Sequence, residues 1–103
     1  MKTMPRKITT ISFADSAVRD LDEIRDWYTA QQIPHVGEQL IKNVVSCVER
    51  LGDFPESGRI VPEFGIANLR EVIRPPFRIV YRFDESRVRI VRIWRSERLL
   101  RMP

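Results

Sequence analysis

Leu69-Arg70-Glu71-Val72-Ile73-Arg74, Phe77-Arg78-Ile79-Val80-Tyr81-Arg82-Phe83 and Arg87-Val88-Arg89-Ile90-Val91-Arg92-Ile93-Trp94 follow one another with only Pro75-Pro76 and Asp84-Glu85-Ser86 between them. All three runs are rich in β-branched and aromatic residues, and both separators are short enough for hairpins, which predicts an antiparallel meander. In the middle run Phe77, Ile79, Tyr81 and Phe83 alternate with Arg78, Val80 and Arg82. Successive side chains of a strand point to opposite faces, so the aromatics are expected on a core and the arginines on the other side. Arg70 and Arg74 share a parity of their own. Val88 and Ile90 are out of phase with Val91 and Ile93, which implies burial on both faces or a bulge.

Upstream of the meander, residues 54–68 are rich in Pro and Gly without any period and read as a long loop of the kind that is often functional. Before it, Leu40, Val44, Cys47 and Leu51 share a helical face with Ile41 and Val48 beside them, and Gly52 stands where a C-cap belongs. Ala17, Leu21, Ile24 and Tyr28 form the stripe of an earlier helix that Asp15 or Ser16 can cap, and Gln31-Gln32-Ile33-Pro34 turns the chain between the two. Asp20, Asp22, Glu23 and Asp26 fall mostly off that stripe and read as a solvated face. Lys7 to Phe13 is a β-branched opening strand. The order is βααβββ, an α+β fold in which the N-terminal strand and a helical hairpin pack on an antiparallel sheet.

The chain has 103 residues, 43% of them hydrophobic and 31% charged, enough for one small domain over residues 1–103 with a real core. No apolar run approaches the roughly 18 residues of a membrane span, and Met1 to Thr10 lacks a signal-peptide stretch, so the expectation is a cytoplasmic protein without membrane contact. Cys47 is the one cysteine and His35 the one histidine, so a disulfide scaffold, a zinc site and a Ser or Cys triad find no support, and neither metal nor cofactor is expected. Cys47, on the apolar stripe, reads as a core residue.

The net charge of +4 is unevenly spread. Residues 14–33 carry five acids against two arginines, whereas residues 69–103 carry ten arginines, no lysine and four acids. Guanidinium forks suit phosphate and carboxylate, so Arg70, Arg74, Arg78, Arg82, Arg95 and Arg98 are candidates to grip RNA or an acidic protein, with Trp94 a packed or stacking ring beside them. A nuclease would also need a base for the 2′-hydroxyl, and no spacing singles out Glu63, Glu71 or Glu97.

Ala17-x-x-Asp20-Leu21-x-x-Ile24-x-x-Trp27-Tyr28, then Leu51-x-x-Phe54-Pro55-x-Ser57-Gly58-Arg59, Leu69-Arg70-Glu71-Val72 and Phe77-Arg78-Ile79-Val80-Tyr81-Arg82 together resemble the RelE/ParE family of bacterial toxins. The resemblance spans nearly the whole chain. It implies the toxin of a type II toxin–antitoxin system, neutralised by a cognate antitoxin protein and meeting operator DNA only through the antitoxin complex. RelE-like members cut mRNA on the ribosome with basic sheet residues and usually a late tyrosine or histidine. Arg78 matches the sheet arginine, and Arg95 or Arg98 the C-terminal basic cluster, so these three are the catalytic candidates under that reading. After Trp94, however, there is neither tyrosine nor histidine. ParE-like members inhibit DNA gyrase without a nuclease site, and the resemblance leans that way, with Arg59, Arg70, Arg74, Arg82 and Trp94 as target- or antitoxin-binding candidates. An inactive relic that still binds its antitoxin is the third reading.

Overall fold

The computed structural model describes residues 9–96. Strand β1 (Thr10–Phe13) leads into helices α1 (Asp15–Ala30) and α2 (Pro34–Leu51), followed by strands β2 (Arg59–Ile60), β3 (Leu69–Arg74), β4 (Phe77–Phe83) and β5 (Arg87–Arg95). The expected meander is present as β3, β4 and β5, each pair antiparallel. Two features modify the expected sheet. β1 pairs with β5 in parallel, so the five-stranded sheet, ordered β1-β5-β4-β3-β2, is mixed. The expected loop also contributes the two-residue edge strand β2, too short to carry a period.

Both helices lie on one face. Ala17, Val44, Cys47, Val48 and Leu51 pack against Phe77, Ile79, Tyr81, Val88, Ile90 and Ile93, so the alternation in β4 and the helical stripes meet as expected. Gly37 lets α2 approach α1, since a Cβ there would stand 2.9 Å from the Cβ of Tyr28. Gln32, at φ 64, turns the chain, and Pro34 then opens α2 at a position where its missing N–H costs nothing. On the opposite sheet face a second cluster of Val61, Leu69 and Val80, flanked by Val91 and Trp94, seats the 61–68 loop.

The phase change in β5 is a bulge. Tyr81 stands opposite Ile90 and Val80 opposite Arg92, leaving Val91 as the extra residue. β1 pairs only with residues 87–90, so beyond Ile90 the edge of β5 needs other partners. Helix α1 supplies them. Ser16 donates its hydroxyl to the Val91 carbonyl at 2.6 Å, and the Asp20 carboxylate accepts the Ile93 amide at 2.8 Å and the Arg92 guanidinium at 2.8 and 3.0 Å. Two expectations are corrected here. Asp20 is buried and structural, not solvated, and the α1 N-cap is Ala14, without a side-chain bond, so neither Asp15 nor Ser16 caps the helix; Ser16 donates to the sheet instead. Gly52 does follow α2, but in a right-handed conformation.

Among the described residues no helix is long and apolar enough to cross a membrane. Asp20→Ala leaves the buried Ile93 amide without its acceptor, and we expect it to lower unfolding free energy by about 1–3 kcal/mol, whereas Ser16→Ala costs about 1 kcal/mol. Urea unfolding with an unchanged m-value checks both.

Candidate functional site

The face of the sheet away from the helices was expected to carry the arginines together. Register divides them. Arg70 stands opposite Tyr81 and Arg74 opposite Phe77, which places Arg70 and Arg74 on the helix side of the sheet. Arg78 and Arg82 occupy the far side, with Arg78 opposite Trp94 and Arg82 opposite Arg89. Arg95, opposite Phe77, lies on the helix side, where it donates to the Tyr28 hydroxyl at 2.9 Å and its guanidinium lies 5.2 Å from the Trp27 ring centroid. Arg78 and Arg95 therefore project from opposite faces of the sheet. Arg98 and Glu97 lie outside the described residues.

The most strongly held arginine is the one singled out by sequence. The Arg78 Nε donates to Glu71 at 2.5 Å, while its two terminal nitrogens donate to the Glu63 carboxylate at 2.8 and 3.1 Å. Glu71 is in turn bonded by the Arg59 Nε at 2.5 Å. Its side chain has 0% exposure and that of Arg78 has 6%, so neither charge is tolerable without the other. Arg59 and Glu63, at 62% and 37%, close the chain of four at the surface. Two acids that no spacing had distinguished thus occupy Arg78 from both sides. Hydrogen bonding from Arg78, with its charge, holds the Glu63 carboxyl below the usual Glu range.

The Pro55-x-Ser57-Gly58-Arg59 segment acquires a physical meaning through Tyr81. This buried ring crosses the core and donates its hydroxyl to the Pro55 carbonyl at 2.7 Å while accepting the Gly58 amide at 3.0 Å. A Cβ on Gly58 would fall 2.6 Å from that hydroxyl oxygen and 2.7 Å from the Glu71 carbonyl, so only glycine fits. Burial pushes the Tyr81 phenol above its ordinary pKa. Arg70 staples the same segment, donating to the carbonyls of Ala67, Gly58 and Glu56 at 2.7, 2.9 and 3.2 Å.

Trp94 is partly buried beside the second cluster, and Arg92 lies 4.7 Å over its ring, so the ring already has a cationic cover. Arg74 and Arg82 are exposed and make no ion pair among the described residues. A groove of about 430 Å³ between α2 and β3 is lined by Cys47, Arg50, Leu51, Phe54, Ser57 and Val72. No group of three His, Cys, Asp or Glu side chains among the described residues converges to hold a metal.

This fold, with its tyrosine-held Ser-Gly-Arg segment, has relatives. A family model described as the ParE toxin of type II toxin–antitoxin systems, parDE, matches residues 11–100. The chain belongs to the ParE toxin family. Among solved structures, the chromosomal ParDE toxin–antitoxin system from P. aeruginosa is similar over 86% of this chain and 97% of that one, at a TM-score of 0.71 and 24% identity. The toxin–antitoxin complex RelBE2 from Mycobacterium tuberculosis is similar over 86% of this chain and 99% of that one, at 0.60 and 21%. At these identities the likeness is one of fold. No curated protein matches the sequence.

In this ParE-family toxin the Glu71 carboxylate is expected to be indispensable to the fold and the Glu63 contact expendable. Glu71→Ala should cost about 3–5 kcal/mol and Glu63→Gln less than about 1 kcal/mol at neutral pH. Because the folded pKa of Glu63 is depressed, its contribution is present above the ordinary Glu value and is lost as pH falls through the folded one. Urea midpoints taken from about pH 6 to about pH 3 should therefore drop more steeply for the parent than for Glu63→Gln.

Proposed function

We propose that this ParE-family toxin arrests growth by binding and inhibiting DNA gyrase, and that its antitoxin neutralises it by covering the α2–β3 groove. The observation that carries the reading is the confinement of Arg78. A ribosome-dependent ribonuclease would need that guanidinium free for the scissile phosphate, yet its Nε faces a fully buried carboxylate and its outer nitrogens face a second one. Arg95, the other described candidate, projects from the opposite face. A binding inhibitor makes no such demand, since it acts through surface complementarity and requires no reacting group of its own. The resemblance to ParE-like members points the same way.

The groove favours an amphipathic, acidic antitoxin segment. Its floor is apolar, Phe54 is exposed at its rim, and Arg50 adds a cation. A segment of a partner that folds on binding can match both features. Control of the operon then falls to the toxin–antitoxin complex, and the cytoplasm is where gyrase and antitoxin would both be met.

The reading is tested by adding antitoxin-free protein to gyrase and plasmid with ATP, then denaturing the gyrase and separating the DNA on a gel. Linear DNA is the expected product, and addition of antitoxin should abolish it. Normal supercoiling in the presence of a preparation that stops growth would overturn the gyrase assignment and return attention to the ribosome and mRNA. A chain that is harmless when expressed without antitoxin would identify the inactive relic.

A further inference from the structure

Among the described residues, three arginines on the far face of the sheet have no carboxylate partner. Arg82 and Arg89 stand directly opposite each other across β4 and β5, and Arg87 is two residues from Arg89 on the same face. All three are exposed. Like charges directly opposite in a sheet are destabilising, and elsewhere on this face the fold removes the problem by supplying acids, Glu71 to Arg59 and Arg78, and Asp20 to Arg92. Here it supplies none. Among the described residues, no carboxylate forms an ion pair with Arg82, Arg87 or Arg89, and Arg89 makes only a long hydrogen bond of 3.4 Å to the Ser12 hydroxyl.

The three guanidinium groups line a shallow cleft of about 200 Å³ with Asn68, Phe83 and Asp84. The Asp84 carboxylate is turned to its own backbone, accepting the amides of Ser86 and Arg87 at 3.2 and 3.0 Å. Three cations against one acid leave the lining with an excess of two positive charges. Its surroundings discriminate between classes of partner. The large exposed apolar side chains, Trp27, Phe54, Ile60, Phe64, Ile66 and Ile73 among them, all lie outside this cleft. A protein partner draws most of its affinity from desolvated aromatic and aliphatic anchors. A nucleic-acid backbone is held by charge, through counterion release, and needs no apolar anchor. Along β5, Arg87 and Arg89 are separated by roughly 6.6 Å, two strand residues, a spacing suited to successive phosphates of one strand.

We infer that the Arg82–Arg87–Arg89 cluster is a phosphodiester site through which the toxin grips the backbone of duplex DNA. Only the choice of duplex DNA rests on the gyrase reading, and the site acts without gyrase present.

The test is a fluorescence-anisotropy titration of a labelled duplex oligonucleotide with antitoxin-free toxin over a series of salt concentrations, in the absence of gyrase. The parent should bind at low salt, and the Arg82→Gln/Arg87→Gln/Arg89→Gln variant should flatten the plot of log K against log salt by about 2–3, the release expected for three phosphates. Arg19→Gln, an exposed charge on helix α1 at the other face of the sheet, should leave the slope unchanged. Folding of the triple variant is read independently, because relief of the Arg82–Arg89 repulsion should keep its melting temperature at or above that of the parent. Absence of duplex binding by the parent, or an unchanged slope in a folded triple variant, would overturn the inference. So would cluster-dependent binding of single-stranded RNA or poly-glutamate in preference to the duplex, the first assigning the cluster to RNA and the second to an acidic protein. A negative gyrase assay with positive duplex binding would defeat the gyrase reading and leave the site standing.

Discussion

Burying the Glu71 carboxylate at the centre of a sheet face commits the surrounding structure to particular partners. An ionised carboxylate with no exposed surface persists only if guanidinium groups reach it, and here they come from β2 on one side and β4 on the other. Arg59 can do so only if the preceding loop arrives at the right height, which the Tyr81 hydroxyl enforces by holding Pro55 and Gly58. Arg78 can do so only in the observed register of the β3–β4 hairpin. Beside its small apolar cluster the far face is thus organised by charge pairing, where the near face is organised by apolar contact, and Arg78 is withdrawn from the solvent as a consequence.

The other constraint acts at the opposite side of the sheet. β1 is too short to cover β5 along its length, and the bulge at Val91 turns the uncovered edge toward α1. Ser16 and Asp20, one helical turn apart, satisfy that edge. The helical hairpin is therefore fixed to the sheet by hydrogen bonds as well as by its apolar stripe, and the α2–β3 groove is left open on the other flank. The likeness to the P. aeruginosa and M. tuberculosis structures at low identity is consistent with a fold specified by patterning and a few such contacts rather than by many residue identities.

The meander, both helices and the apolar core were legible in the sequence because each rests on a short-range period, two for the strands and 3.6 for the helices. The phase change in β5 announced a bulge or two-sided burial, and register decided for the bulge. What escaped the sequence depends on how strands and helices are offset from one another. Parity within β3 relates Arg70 to Arg74, but the hairpin at Pro75-Pro76, by setting Arg74 opposite Phe77, decides which face they share. Glu71 meets Arg78 diagonally across two strands, and Asp20 meets an edge left open where β1 stops pairing at Ile90. Local spacing records none of these. Arg87 and Arg89 were not among the candidates read from the sequence, because only the pairing of Arg89 with Arg82 makes them a cluster.

The far-face arginines thus divide into those locked by carboxylates and those left open to a polyanion. NMR of the guanidinium Nε–H groups, with hydrogen exchange followed residue by residue, tests that division most directly. Arg78 and Arg92 should show dispersed, protected signals, while Arg82, Arg87 and Arg89 exchange fast and shift when duplex DNA is added. An Arg78 Nε–H exchanging as rapidly as that of Arg82 would contradict the account, for it would return Arg78 to the solvent and to the chemistry of a ribonuclease.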